Sequence, residues 1–251
     1  MPDNNRLEQP NPRPLSGADV TRMPSALIPS RSALEGRYVI LEPQNAANHA
    51  SDLYHASHDS DAGLHIWDYL AYGPWPDEDS FALNMRQQSA NFETIFYAIR
   101  ALDSDQYGGQ ASFLDINPQM GVIEIGHIWF GPQLQRTRAA TEALYLMIRH
   151  AMDDLGYRRM HWRCNALNQK SRNAAQRLGF RFEGIFYNHM IFKGKNRDTA
   201  WYSILDDEWP EVRGIFETWL DTSNFNADGS AKTSLFEMMQ KRTPSQRGAG
   251  N

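Results

Sequence analysis

The segment Gln135 to Leu144 reads QRTRAATEAL, and it stands where a strand-like run, Val122 to Phe130, gives way to helical spacing. Apolar positions 140, 144, 147, 148, 151 and 155 share one helical face, and Gly156 stops the run. A strand that feeds a helix leaves backbone N–H groups free at the positive end of the helix dipole, which suits an anion. Ala139 and Ala140 allow a ligand close to the backbone, and Arg136 and Arg138 offer forked donors that match phosphate oxygens. Taken alone, the segment is equally an ordinary surface helix.

Working outward, Arg37 to Leu41 reads as a strand and Ala46 to His58 as a helix starting near Asn45. An aromatic loop with Trp67, Tyr69, Tyr72 and Trp75 follows, then a helix over Asp77 to Gln88 whose first turn is acidic. Thr94 to Leu102, Gln106 to Ile116 and Val122 to Phe130 are three strands with short links, which implies an antiparallel meander. Beyond the Ala139 to Leu155 helix come a strand at Arg159 to Cys164 and a short helix capped by Asn168 and ended by Gly179. Two strands around the turn Lys193 to Arg197 complete the core. This order predicts one α/β domain with a mixed sheet over residues 36–220. A proline-rich extended arm (1–35) precedes it and a polar tail (221–251) follows, with one short helix at Leu235 to Lys241.

Composition narrows the chemistry. A chain of 251 residues that is 41% apolar is long enough for a buried core, and no apolar run is long enough to span a bilayer. The start, Met1 to Arg6, lacks the apolar centre of a signal peptide, so the expected location is cytoplasmic. The one cysteine, Cys164, excludes an internal disulfide, and no metal site of usual spacing is present. A net charge of −5 argues against general nucleic-acid binding. The charge is nonetheless segregated. Residues 134–198 carry thirteen Lys or Arg against five acids, whereas residues 51–85 carry seven acids and no Lys or Arg. Such a chain can hold an anion on one side and a cation on the other.

The order of elements, QRTRAATEA, the Asn168–Ser171 pair and Leu178-Gly179-Phe180 together resemble the GNAT superfamily of acetyl-CoA-dependent N-acetyltransferases. The branch most similar is that of ribosomal-protein N-terminal acetyltransferases and their small-molecule relatives. The resemblance implies a central, mostly antiparallel mixed sheet with helices on both faces. It also implies coenzyme A pyrophosphate held at Gln135, Arg136, Thr137, Arg138, Ala139 and Ala140. Gln135 and Ala140 match the ends of the family's phosphate motif, and Arg138 replaces its first glycine. An arginine there either points outward or lends its guanidinium in place of a backbone contact; the second is the expectation.

Acetyl transfer needs a neutral amine, alignment with the thioester, oxyanion stabilisation and a proton for the thiolate. Glu124 and His127 would lie on opposite faces of a regular strand, and a bulge at Gly126 would bring them together and free N–H groups for the carbonyl. Glu124 is the first choice of base and His127 the second. Their structural alternatives are an arginine pair and a satisfied core histidine. By resemblance, Ile128, Trp129 and Phe130 line the pantetheine, Asn168 contacts its amide, Arg172 reaches a phosphate, and Ser171 protonates the thiolate. The tyrosine that many members use as acid is here Ala175, which leaves Tyr187 and Tyr202 as other hydroxyl candidates. The resemblance places the acceptor under the aromatic, acidic roof, with Trp67, Asp68, Tyr69, Trp75 and Tyr187 as contacts for an ammonium. The expected acceptor is a small-molecule amine or a peptide N-terminus, with no nucleic acid, membrane or metal, in a monomer or homodimer. The alternative is a non-catalytic acyl-CoA-binding or scaffolding protein of the same fold.

Overall fold

The computed structural model describes residues 8–10, 13, 15–17 and 19–242. The opening segment 1–7 and the Gly-rich end after 242 lie outside the described residues.

Chain order is β1 (Leu34–Glu35), β2 (Val39–Pro43), α1 (Ala46–His58), α2 (Asp61–Leu64), a 3-10 turn (His65–Tyr69), α3 (Glu78–Ala90), β3 (Ile95–Ala101), β4 (Gly109–Asn117) and β5 (Val122–Phe130). Then come α4 (Arg138–Arg149), β6 (Arg159–Asn165), α5 (Gln169–Arg177), β7 (Arg181–Phe192), β8 (Lys195–Leu205), α6 (Trp209–Leu220) and α7 (Leu235–Gln240). The helix starts follow capping chemistry: Asn45, Asp77, Thr137 and Asn168 each accept a hydrogen bond from a first-turn N–H. α4 runs on through a wider π turn over His150–Asp154 and stops ahead of Gly156, which takes a positive φ of 68°.

The strands form one eight-stranded sheet in the order β1-β2-β3-β4-β5-β6-β8-β7. Every neighbouring pair is antiparallel except β5 and β6, which run parallel because α4 carries the chain back across the sheet. Alternation along β3 separates two cores. Ile95, Tyr97 and Ile99 join the large core with α4, α6 and α7, while Ala98 joins a second core with α1, α3 and the aromatic loop. Helices therefore cover both faces, as a mixed α/β sheet requires.

Two corrections concern the ends of the domain. Residues 209–220, which the sequence reading leaves unassigned, form α6, with Pro210 in its first turn and Trp209, Val212, Phe216, Trp219 and Leu220 buried. The stretch after Leu220 is not a detached tail, because α7 buries Leu235 and Met239 in the same large core. Among its described residues the arm has no helix or strand before β1, and it is pinned at several points. Arg13 pairs with Asp207, the Ser25 hydroxyl donates to the Leu155 carbonyl, and Tyr157 and Tyr97 donate to the carbonyls of Leu27 (2.9 Å) and Ser30 (3.2 Å).

Candidate active site

The site begins where the parallel pairing ends. β5 and β6 are in register at Val122 with Arg159, Ile123 with Met160 and Glu124 with His161, and then they part. Beyond that point β5 stays with β4 as far as Phe130, and β6 stays with β8 as far as Asn165. A cleft opens between them, with β5 as one wall and β6 and β8 as the other.

The β5 wall contains a bulge. Gln110 pairs with Trp129 and Ser112 with Gly126, so two steps along β4 face three along β5. The bulge lies beside Gly126, where the sequence places it, and its positive φ falls on the next residue, His127, at 50°. A histidine accepts this conformation because its side chain is held. Tyr72 stacks on its ring at 5.5 Å and places its hydroxyl 3.0 Å from Nδ1, and Phe96 packs 5.1 Å away. Gln110 Nε2 donates to the Tyr72 hydroxyl (3.3 Å) and to the His127 carbonyl (3.3 Å), and Gln44 Nε2 donates to Gln110 Oε1 (3.1 Å). Since Tyr72 accepts from Gln110, its own proton goes to Nδ1, and the neutral imidazole then carries its proton on Nε2. Burial lowers the His127 pKa, which keeps the ring neutral near pH 7, and burial raises that of Tyr72.

Glu124 faces the same side of the sheet. It is 4% exposed, pairs with the Arg163 guanidinium, and has Oε2 3.4 Å from His161 Nε2. Arg163 also binds Asp115, which a positive φ of 45° on β4 swings toward it. Asp115, Glu124 and His161 hold potential metal-ligand atoms within 4.8 Å of one another, but Arg163 bridges the two carboxylates and supplies the positive charge there. The arginine pairing foreseen as the alternative for Glu124 is therefore real. Neither ring nitrogen of the buried His161 makes a hydrogen bond.

The mouth of α4 adjoins the β5 end of the cleft. Gln135 Nε2 donates to the Phe130 carbonyl (2.8 Å), Arg136 turns the chain at φ 62°, and Thr137 Oγ1 accepts from Ala140 N (3.1 Å). Among the described residues, the N–H groups of Arg136, Arg138 and Ala139 have no acceptor. Arg138 lays its guanidinium against the rings of Phe225 (3.2 Å) and Tyr38 (4.5 Å) and forms no ion pair with the described residues.

On α5, Asn168 caps the helix by accepting from Ser171 N (3.1 Å), and the Ser171 hydroxyl accepts from Trp162 Nε1 (3.0 Å). Ala175 is fully buried. Arg172 does not reach toward a coenzyme. It is 1% exposed and donates to Glu8 of the arm (2.8 Å), to the Ala166 carbonyl (3.2 Å) and to Gln169 (3.1 Å). Tyr202 is also withdrawn, because its hydroxyl donates to Glu8 (3.1 Å). Burial pushes the Cys164 thiol up to about 11, consistent with a core residue.

The roof differs in part from expectation. Trp67 is 1% exposed and packs on Trp75, Trp129, Tyr72 and Phe81, so it builds the roof and does not face a ligand. Trp129 is buried in the same cluster, which leaves only its backbone for the cleft. Asp68 and Tyr69 are exposed, and Trp75 is half-buried. Asp68 holds His65 (3.1 Å), and Tyr69 donates to the Leu167 carbonyl (3.3 Å) across the cleft. Tyr187 is 72% exposed on the edge strand β7. The sequence reading missed Tyr72 as a partner of His127, together with Gln110, His161 and Arg163. The alternation that puts His161 and Arg163 on the Glu124 face was its available signal for the last two.

Parted parallel strands beside an open helix mouth match one family. The model of the GNAT acetyltransferase domain matches residues 39–181. The chain belongs to the GNAT acetyltransferase family. A GCN5-related N-acetyltransferase from Brucella melitensis is 40% identical, with a TM-score of 0.84 over 88% of this chain and 99% of that one. A probable acetyltransferase from Chromobacterium violaceum is 38% identical, with a TM-score of 0.69 over 82% and 99% of the two chains. Over 141 residues the chain is 28% identical to YdaF of Bacillus subtilis, named as a candidate ribosomal N-acetyltransferase; the match covers 51% of this chain and 76% of that protein. The GNAT fold, the mixed sheet and acetyl transfer as the reaction class thus agree with the sequence reading. No helix among the described residues is long and apolar enough to cross a membrane.

Proposed function

We propose that this GNAT protein moves an acetyl group from acetyl-CoA directly to a primary amine, of a small molecule or a peptide N-terminus, within a ternary complex. The observation that carries this reading is the parting of β5 and β6 beside unsatisfied N–H groups at the mouth of α4. Acetyl-CoA supplies the activated acetyl thioester, and every other part of the reaction falls to the chain itself.

The N–H groups of Arg136, Arg138 and Ala139 receive the pyrophosphate, and the backbone of Ile128 to Phe130 lines the pantetheine. The edge donors of Arg138 add to that anion site while its faces rest on Tyr38 and Phe225. N–H groups freed at the bulge, with His127 Nε2–H beside them, face the carbonyl oxygen as charge develops there. Glu124 takes the proton of the acceptor amine through water, and Arg163 orients its carboxylate. The Ser171 hydroxyl accepts from Trp162 and lies within hydrogen-bonding reach of the buried Cys164 thiol, and it passes its proton to the departing thiolate. The amine nitrogen bonds to the carbonyl carbon, the carbon–sulfur bond breaks, and the products are an amide and the free thiol.

Calorimetric titration with acetyl-CoA tests the first step. Micromolar affinity is expected, weakened about 3- to 20-fold by Arg138→Ala, the range of one charge-assisted hydrogen bond. Thiol release with a panel of amines tests the rest, and Glu124→Gln should lower kcat by about 10²- to 10⁴-fold with acetyl-CoA affinity retained. Binding without turnover of any amine would instead assign the chain to acyl-CoA binding or scaffolding.

A further inference from the structure

The second wall of the cleft carries two cations, Arg197 and Lys193, that form no ion pair with the described residues. Arg163, His189, Thr199 and Trp201 share one face of β6, β7 and β8. Arg163 lies 5.0 Å over the Trp201 ring, and Thr199 Oγ1 is 3.0 Å from His189 Nδ1. Arg197 joins that face one step nearer the hairpin tip, donating from Nε to Thr199 Oγ1 (3.2 Å) and resting 4.5 Å over the Phe192 ring. At the tip, Lys193 Nζ donates to the Trp67 carbonyl (2.8 Å), which brings the hairpin against the roof. Arg163 spends its charge on Glu124 and Asp115, whereas Arg197 and Lys193 form no ion pair with the described residues: Arg197 hydrogen-bonds Thr199 and feels Glu124 at longer range, and Lys193 hydrogen-bonds the Trp67 carbonyl and feels Asp68. Burial lowers the pKa of Arg197, and its charge is felt by Glu124 and by His127, so it stands close to the reacting centre.

A guanidinium held by one hydroxyl and one ring keeps its paired terminal N–H groups for a planar or tetrahedral oxyanion. The roof segment, residues 51–85, holds seven acids and no Lys or Arg, and one of them, Asp68, is felt by Lys193 across the cleft. An acceptor with one charge only would match one wall and leave the other unpaired. We propose that the acceptor is an amine that also carries an anionic group, a carboxylate or a phosphate, bound by Arg197 with Lys193 adding to the field. This rests on the acetyl-transfer reading and specifies its substrate class. The amine lies toward Glu124 and the roof, and the anion lies toward the β7–β8 hairpin. That arrangement orients the nitrogen for attack and selects against neutral monoamines.

The test uses matched pairs that differ only in the anion: phenylalanine against phenylethylamine, O-phosphoethanolamine against ethanolamine, and a tripeptide amide with aspartate or asparagine in second position. Each is measured for acetyl transfer with the whole chain and, separately, for calorimetric binding to the protein saturated with coenzyme A. The anionic member of at least one pair should be preferred by roughly tenfold or more in kcat/KM and in affinity. Which pair responds separates carboxylate, phosphate and peptide sources. Arg197→Gln should bring that ratio toward one through KM, Arg197→Lys should keep part of it, and acetyl-CoA affinity should not change. Equal or better binding of the neutral members overturns the proposal, as does failure of every anionic member to bind at millimolar concentration. So does an Arg197→Gln variant that weakens only acetyl-CoA. Selective binding of the anionic amine without acetylation would support the subsite and sink the acetyl-transfer reading, so the two fail separately.

Discussion

The two walls of the cleft are built on different principles. The β5 wall and its roof are an interlocked apolar structure, in which Trp67, Trp75, Trp129, Phe81 and Tyr72 pack ring on ring and His127 is fixed by two polar neighbours, Tyr72 and Gln110. The β6–β8 wall carries Arg163 and Arg197 at strand positions that share one face, Lys193 in the hairpin turn, and the His161 and Trp201 rings among them. One wall sets shape by excluding water, and the other sets recognition by charge. Substitutions should therefore separate the walls, the first failing in stability and the second in substrate use.

The largest expected effect is on the first wall. Trp67→Ala removes a fully buried ring at the centre of the roof, and unfolding in urea should show a loss of about 3–5 kcal/mol. A loss below about 1 kcal/mol would mean that the roof is loosely packed and that the contrast between the walls fails. Next in size is Gly131, where the chain leaves β5. A Cβ there would meet the Ala56 carbonyl oxygen at 2.6 Å, which is backbone and cannot swing aside. Gly131→Ala should cost about 1–3 kcal/mol and also weaken acetyl-CoA, since the shift is transmitted to the mouth of α4.

How much of this was legible follows from the kind of signal. α4 could be read from its 3.6-residue spacing and Gly156, and the strand-to-helix junction at its mouth from small residues after a strand, because both are local in sequence. The bulge was legible only in outline. Glycine is the ordinary bearer of positive φ, yet His127 carries it, because Tyr72 and Gln110, 55 and 17 residues away, hold the ring and carbonyl in place. Trp67 read as a ligand contact because aromatic loops look alike from sequence whether they bind or pack. Arg172 read as a phosphate ligand because its partner Glu8 lies 164 residues earlier in the chain. Arg163 counts only toward the basic segment 134–198 and Arg197 reads as part of the turn Lys193 to Arg197, and only the sheet register shows that they share a face with Glu124.

Acid should also distinguish the walls. His49, His58 and His127 all belong to the first wall and its surroundings, and burial lowers the pKa of each below 6.5. The folded protein holds them neutral while the unfolded chain protonates them near 6.5, so their contribution to stability is present above that pH. It is lost as pH falls through 6.5 toward the folded values. On the second wall the carboxylate Glu183 responds in the same direction but at lower pH. Burial raises its pKa, but the hydrogen bonds and charge of Arg159 and the Ser203 hydroxyl outweigh burial and hold it below 4.5. Its contribution persists above 4.5 and is lost only in stronger acid. Melting temperatures at pH 7.5, 5.5 and 4 should fall in two stages. His127→Gln should reduce the first stage, and Glu183→Gln the second. An unchanged first stage in His127→Gln would remove this histidine from the acid response.

The smallest expected effect concerns the contacts between the walls. Among the described residues, Lys193 to the Trp67 carbonyl and Tyr69 to the Leu167 carbonyl are hydrogen bonds that tie the roof to the opposite side of the cleft. Each lies at the surface and joins an exposed side chain to a backbone oxygen, so Lys193→Ala combined with Tyr69→Phe should change global stability by no more than about 1 kcal/mol. Their consequence is local. With both removed, the turn His65–Tyr69 should exchange its amide hydrogens faster, while the amides of β5 keep their protection, since the bulge is fastened independently through Gln110 and Tyr72. Faster exchange along β5 as well would show that the two walls are one cooperative unit, with charge on the hairpin supporting the packing of the roof.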